Sequence, residues 1–126
     1  MQERKITKID IITRVSKLEE LKDALNEIGV LGMTVSQVYG CGLQRGHKEV
    51  YRGREYEVNL VPKIKLETVV CEVPVEKVLE VAQKVLRTGE FGDGKIFVYE
   101  LADAVRIRTG QRGVEAIMDI PGEKPE

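Results

Sequence analysis

Apolar positions along the chain alternate between two spacings, and the changes of spacing mark out six elements. Residues 5–13 (KITKIDIIT) alternate isoleucine and threonine with other side chains, as a β-strand does. From Leu18 the spacing becomes helical: Leu18, Leu21, Leu25 and Ile28 fall on one stripe, which Gly29 ends. Ser16 and Glu19 have the Ser-x-x-Glu spacing of a capping box, which predicts the helix start. Residues 33–39 (MTVSQVY) and 63–71 (KIKLETVVC) are predicted as strands. Pro74 opens a second helix, with Val75, Val78, Leu79, Ala82, Val85 and Leu86 along one face. A fourth strand is predicted over 95–101 (KIFVYEL), followed by a short extended or mixed stretch over 103–109 (DAVRIRT). The tail, about 119–126, is rich in proline, glycine and charge and is expected to fray.

The order β-α-β-β-α-β is the ferredoxin-like split βαβ of the α+β class, a four-stranded antiparallel sheet with two helices on one face. A chain of 126 residues is one such domain, long enough to bury a core without disulfides or metals. The strands carry apolar side chains on both faces: Ile9 and Ile11 against Ile6 and Ile12, and Phe97 and Tyr99 against Ile96 and Val98. Two helices cover only one face. With no third helix in the pattern, a second copy of the chain is the expected cover, and hence a homo-oligomer.

One stretch fits neither period. Residues 40–62 (GCGLQRGHKEVYRGREYEVNLVP) mix Arg, Lys, His and Glu with two tyrosines and four glycines, and read as no regular element. A passive hairpin needs only a few residues, whereas a long polar loop between strands is where binding tends to sit.

Charge narrows the functional classes. Twenty Lys plus Arg against 21 Asp plus Glu leave a net charge of −1, which argues against nucleic-acid binding through a bulk positive field. No run approaches membrane-spanning length, and MQERKITKID lacks the apolar core of a signal peptide, so cytoplasmic residence is expected. Cys41 and Cys71 are far apart and read as reduced thiols. With His47 as the single histidine, an ordinary His/Cys zinc site is rejected.

Three clusters suit an anion. Residues 40–46 (GCGLQRG) and 89–95 (GEFGDGK) place glycines where backbone N–H groups can approach a ligand closely. The second differs from a Walker loop: it lies between a helix and a strand, and Ile96 follows Lys95. Arg106 and Arg108, at strand spacing, would point the same way toward a polyphosphate or carboxylate. Each alone has a plain structural reading, as a helix stop or a solvated face. No Ser-His-Asp or Cys-His arrangement accompanies them, so the expectation is binding and signalling rather than an enzyme.

These features, in this order, resemble the PII family of nitrogen-regulatory signal-transduction proteins. The resemblance runs from about residue 8 to 117 and rests on GMTVSQVYGCGLQRGH, YRGREY, VPKIKLETVV, TGEFGDGKIFVYEL and AVRIRTGQRG. It implies a homotrimer with nucleotide sites in the clefts between subunits, where ATP and ADP compete. Residues about 42–59 would form the T-loop, 88–95 the B-loop and 106–117 the C-loop. By carry-over, Gly42, Gly92, Lys95, Arg106 and Arg108 surround the phosphates, and Thr34, Glu67 and Val69 the adenosine, with Ile12 packing nearby. Gln44 would complete a Mg²⁺ site with ATP and bound 2-oxoglutarate, and Lys63 would pair with a 2-oxoglutarate carboxylate. Tyr56 matches the tyrosine that some bacterial members have uridylylated or adenylylated, which makes it the candidate modification residue; an unmodified contact at the loop tip is the alternative. Two positions depart from the family pattern. Leu43 stands where many members have a basic residue, and Arg54 replaces the small residue of YRGREY, which rules out serine phosphorylation there.

The implied function is sensing of ATP/ADP and 2-oxoglutarate, with control of nitrogen-assimilation proteins through the T-loop. An ammonium transporter, glutamine synthetase, a transcription regulator or a modifying enzyme would be the partner. Docking on the transporter would bring the protein peripherally to the membrane. The competing readings are a PII-like regulator of another pathway sensing a different small molecule, and a ferredoxin-like enzyme such as an acylphosphatase or nucleotide-processing protein.

Overall fold

A computed structural model of the chain describes residues 5–43 and 58–118. Strand β1 (Ile6–Arg14) leads through one 3₁₀ turn (Val15–Lys17) into α1 (Leu18–Glu27). Strands β2 (Thr34–Leu43) and β3 (Val58–Val70) follow, then α2 (Val75–Leu86), β4 (Lys95–Leu101) and the single-turn α3 (Val114–Ile117). The sheet has the order β2-β3-β1-β4 with every pair antiparallel, so the ferredoxin-like expectation holds.

The helix side of the sheet follows from alternation. Register places Ile11 beside Leu66 and Ile96, and Ile9 beside Thr68 and Val98, so these positions share one face. Ile9, Ile11 and Leu66 are fully buried against Leu21 and Leu25 of α1 and Val78 and Ala82 of α2.

Two expectations are corrected. No capping box forms: the N-cap of α1 is Lys17, without a side-chain cap hydrogen bond. The chain already turns at Val15, and the extended residue before that turn is Arg14, so Ser16 lacks the extended backbone from which a side-chain oxygen caps a helix. The ends of the stretch read as irregular are strand. The ladder continues through Gly40–Val61, Cys41–Leu60, Gly42–Asn59 and Leu43–Val58, because main-chain pairing between antiparallel neighbours needs no apolar alternation. Residues 44–57, including Gln44, His47, Arg54 and Tyr56, and residues 119–126 lie outside the described residues.

The face away from the helices is not uniformly apolar. Ile6, Phe97 and Tyr99 share it with four charged side chains, Lys8, Asp10, Lys65 and Glu67. Asp10 and Glu67 stand directly opposite across β1 and β3, an arrangement that would repel without intervening cations. Lys8 Nζ lies 2.9 Å from Glu67 and 3.4 Å from Asp10, Lys65 Nζ lies 3.6 Å from Glu67 and 3.7 Å from Asp10, and Lys8 also sits 5.3 Å from the Tyr99 ring centre. Asp10 is only 2% exposed while Lys8, Lys65 and Glu67 are partly exposed, so the group is a charge network seated across the two central strands around one buried carboxylate.

Candidate functional site

The two ends of the sheet carry different chemistry. At the end where β1 stops and β4 begins, Arg14 pairs with Lys63 and Ile12 with Lys95. The loop between α2 and β4 folds onto this end and is organised by Asp93. Its carboxylate accepts from the Thr88 N–H (2.8 Å), the Gly89 N–H (2.9 Å), the Thr88 hydroxyl (2.5 Å) and Arg14 Nη1 (2.5 Å). Its carbonyl accepts from Thr13 Oγ1 at 2.8 Å, which ties the loop to β1. The hydroxyl of Thr88, helped by Arg14 and the two amides, holds the Asp93 carboxyl well below the usual carboxylate range.

Gly92 sits between two cations. Arg14 Nη2 donates to the Phe91 carbonyl and Lys63 Nζ to the Gly92 carbonyl, both at 2.8 Å. Gly92 has φ +98°, and a Cβ there would lie 3.2 Å from Arg14 Nη2 and 3.5 Å from Lys63 Nζ. Glycine therefore leaves the main chain of this loop open to a ligand beside fixed positive charge.

The depressed carboxyl gives a pH prediction. A carboxyl whose folded pKa lies below its unfolded value contributes stability above the unfolded pKa and loses it as the pH falls. The contribution from Asp93 should be full above about 4, where unfolded aspartates protonate, and fade as the pH falls below that toward the lower folded value. Asp93→Asn is expected to be less stable than the parent at neutral pH, with the gap narrowing on acidification. Urea denaturation across that range checks it; a gap independent of pH would contradict the ionic role.

At the other end of the sheet lies a cleft of about 450 Å³, lined by Thr34, Glu67, Val69, Arg106, Ile117 and Met118 among others. Thr68 Oγ1 donates to the Gly32 carbonyl at 2.7 Å and so fixes the approach to β2 that forms one wall. The Lys8 ammonium holds the Glu67 carboxyl below its usual range, which keeps Glu67 an acceptor in the cleft. Arg106 does not lie in a strand: Val105 makes an isolated bridge with Arg112, and residues 107–109 are a turn closed by the Gly110 N–H to the Arg106 carbonyl at 2.7 Å. The reading of Arg106 and Arg108 as a strand-spaced pair is thereby corrected. Asp103 organises this turn, accepting from the Arg112 guanidinium and from the Gly113 N–H at 3.0 Å.

Within one chain the expected nucleotide residues form two groups. Ile12, Gly92 and Lys95 lie with Lys63 at one end, and Thr34, Glu67, Val69 and Arg106 at the other. Lys63 and Glu67 are four residues apart on β3, about 13 Å at strand rise. Gly42 lies farther out on the β2–β3 ribbon, and Arg108 is in the exposed turn. Sequence reasoning did not single out Arg14, Thr13, Thr88 or Asp93. The aspartate inside GEFGDGK was the available signal, since a short acidic side chain among glycines commonly ties a turn to its own amides. Among the described residues no group of three or more His, Cys, Asp or Glu is placed to hold a metal ion, and no helix is long and apolar enough to cross a membrane.

Fold and loops together define a two-layer α+β protein with Lys63, Lys95 and the Gly92 loop at one end of its sheet and Arg106 beside a cleft at the other. The chain belongs to the P-II family: the family model described as Nitrogen regulatory protein P-II matches residues 6–111. A Nitrogen regulatory PII-like protein of Bacillus subtilis is 51% identical over 110 residues, covering 87% of this chain and 95% of its own length. The solved structure of the B. subtilis GlnK-ATP complex superposes with TM-score 0.78 at 44% identity, covering 92% of this chain and 99% of that one. Arabidopsis thaliana PII bound to citrate superposes with TM-score 0.71 at 38% identity, covering 90% and 92%.

Proposed function

We propose that the protein is a trimeric sensor of ATP or ADP and of 2-oxoglutarate, acting on nitrogen-assimilation partners through the loop over about 42–59. The observation that carries this reading is the division of the cations. One chain offers Lys63, Lys95 and the open loop around Gly92 at one end, and Arg106 with the cleft at the other. Neither end alone has the charge and the cavity that a nucleotide polyphosphate needs. Two copies packed through the open sheet face would bring unlike ends together, and a ring of three closes such a head-to-tail contact. The ATP-bound B. subtilis relative supports the nucleotide, and the citrate-bound Arabidopsis relative supports a small polycarboxylate as effector.

In this reading the amides near Gly92 and the main chain at Gly42, with Lys95, hold the phosphates, and Arg106 and Arg108 of a neighbouring copy complete the grip. Thr34, Glu67 and Val69 take the adenosine, with Ile12 packing nearby. The ionised Glu67 carboxylate is suited to accept from a ribose hydroxyl or an exocyclic amine. Mg²⁺ asks for few protein ligands beside phosphate oxygens, and Gln44 offers a neutral oxygen that adds no repulsion. Lys63 exchanges the Gly92 carbonyl for an effector carboxylate. Tyr56 is the residue on which a modifying enzyme would act, and an ammonium transporter, glutamine synthetase or a transcription regulator would read the loop.

The test is ATP calorimetry on protein first shown by sedimentation to run near three times 14.2 kDa. Arg106→Ala and Lys95→Ala are each expected to weaken ATP by about 1.5–3 kcal/mol, roughly ten- to a hundredfold. A monomer at micromolar concentration, or parental affinity in both variants, would defeat the intersubunit site. Turnover of ATP at enzymatic rates would favour the enzyme reading instead.

A further inference from the structure

The side chain of Arg106 is already engaged, and its partners belong to the C-terminal segment. Nε donates to the Ala116 carbonyl at 3.2 Å and Nη2 to the Met118 carbonyl at 2.5 Å, while Nη1 lies 3.4 Å from Gln111 Oε1. Nε and Nη2 form the side edge of the guanidinium, one of the paired-donor edges with which arginine grips a phosphate or carboxylate. Two main-chain carbonyls occupy that edge as a bidentate anion would. Carbonyls carry only partial charge, so a phosphate is the stronger acceptor for the same donors.

Residues 116–118 lie beyond the span 6–111 that the P-II family model matches. They also line the cleft that holds Thr34, Glu67 and Val69. Their attachment is light: α3 is one turn, buries no side chain, and is held by the Ala116 N–H to the Gly113 carbonyl (3.0 Å) and the Met118 N–H to the Val114 carbonyl (3.1 Å). A segment with so little packing is released at low cost.

We propose that Ala116–Met118 is an internal ligand of Arg106 that competes with nucleotide phosphate for the same guanidinium edge. The inference rests on the nucleotide reading above and adds a regulatory element to it. By linkage, nucleotide that takes Arg106 must loosen the segment, and any partner that holds the segment away must tighten nucleotide binding by the same factor.

Two shortened chains test it by ATP calorimetry. Ending the chain after Gly113 removes the competing carbonyls and leaves every core residue in place; ending it after Met118 removes only residues 119–126. The first is expected to bind ATP about tenfold tighter than the full chain, and the second to bind it equally well. In an Arg106→Ala background the shortening after Gly113 should change nothing, since the contested donors are gone. Hydrogen exchange on the full chain gives an independent reading, with the Ala116 and Met118 amides exchanging faster once ATP is added. Equal or weaker ATP binding by the chain ending at Gly113, or slower exchange of those amides with ATP, overturns the proposal and leaves the nucleotide reading intact. ATP binding by none of the chains contradicts the nucleotide reading itself, and the competition with it.

Discussion

Gly94→Ala is expected to destabilise the protein by roughly 3 kcal/mol or more, or to prevent folding. Gly94 has φ +105°, and a Cβ there would lie 1.9 Å from the Ile12 carbonyl oxygen and 2.9 Å from its carbon. The obstacle is not a side chain that can swing aside. Ile12 belongs to β1, which is paired to Lys65 of β3 on one side and to Lys95 of β4 on the other. The loop would have to lift from the strand, losing the Thr13 hydroxyl bond to the Asp93 carbonyl and the Arg14–Asp93 pair. Gly89→Ala is the matched control: φ is +88° but nothing stands within 4 Å of the added atom, so only the conformational cost of about 1–2 kcal/mol applies. Urea denaturation of the two variants decides it. Equal losses would mean that the loop does not press against β1, and the proposed phosphate site would lose its floor.

The second large effect falls on Lys63. Lys63→Ala is expected to lower 2-oxoglutarate affinity at least about tenfold while leaving ATP within a few-fold of the parent. The side chain reaches from β3 to the Gly92 carbonyl at 2.8 Å, so its ammonium stands at the mouth of the loop and is free to exchange that neutral acceptor for a carboxylate. Arg14 and Lys95 remain at that end of the sheet after the substitution and keep a positive field for phosphate. Arg14 cannot take over the effector contact, because its guanidinium is committed to Asp93 and the Phe91 carbonyl. Calorimetry with each ligand separates the outcomes; loss of ATP in parallel with 2-oxoglutarate would place Lys63 on the nucleotide instead.

How far the sequence could be read depended on whether the relevant interaction repeats. The stripes Leu18–Leu21–Leu25 and Val78–Ala82–Leu86 and the alternation through Ile9, Ile11 and Leu66 repeat, so the element order, sheet class and core follow from pattern alone. Main-chain pairing in the β2–β3 ribbon leaves no apolar repeat, and the strands there run past their expected ends to Leu43 and Val58. The capping-box spacing at Ser16 was present, but the backbone geometry it requires sits two residues earlier, at Arg14. Charges proved least legible. Lys8, Asp10, Lys65 and Glu67 come from strands more than fifty residues apart, and only register brings them together. Arg106 looked like a strand residue facing a ligand because its neighbours alternate; a turn and the carbonyls of Ala116 and Met118 place it instead. Glycines were the most informative single residues. Gly94 marks where the loop approaches the strand too closely for any side chain, and Gly92 where an added side chain would press on Arg14.

Sharing of one metal by effector and nucleotide is the centre of the proposed function, and it makes their binding conditional. If Gln44 and 2-oxoglutarate both ligate the Mg²⁺ held by ATP, the effector has no complete site without that complex. Linkage then requires 2-oxoglutarate to tighten ATP by the same factor by which ATP tightens 2-oxoglutarate. The direct measurement is calorimetric titration of 2-oxoglutarate into the parent protein with Mg-ATP, with ATP and a chelator, with Mg-ADP, and with no nucleotide. Saturable binding with Mg-ATP alone is the predicted result. Binding of equal strength with Mg-ADP, or with no nucleotide at all, would contradict it.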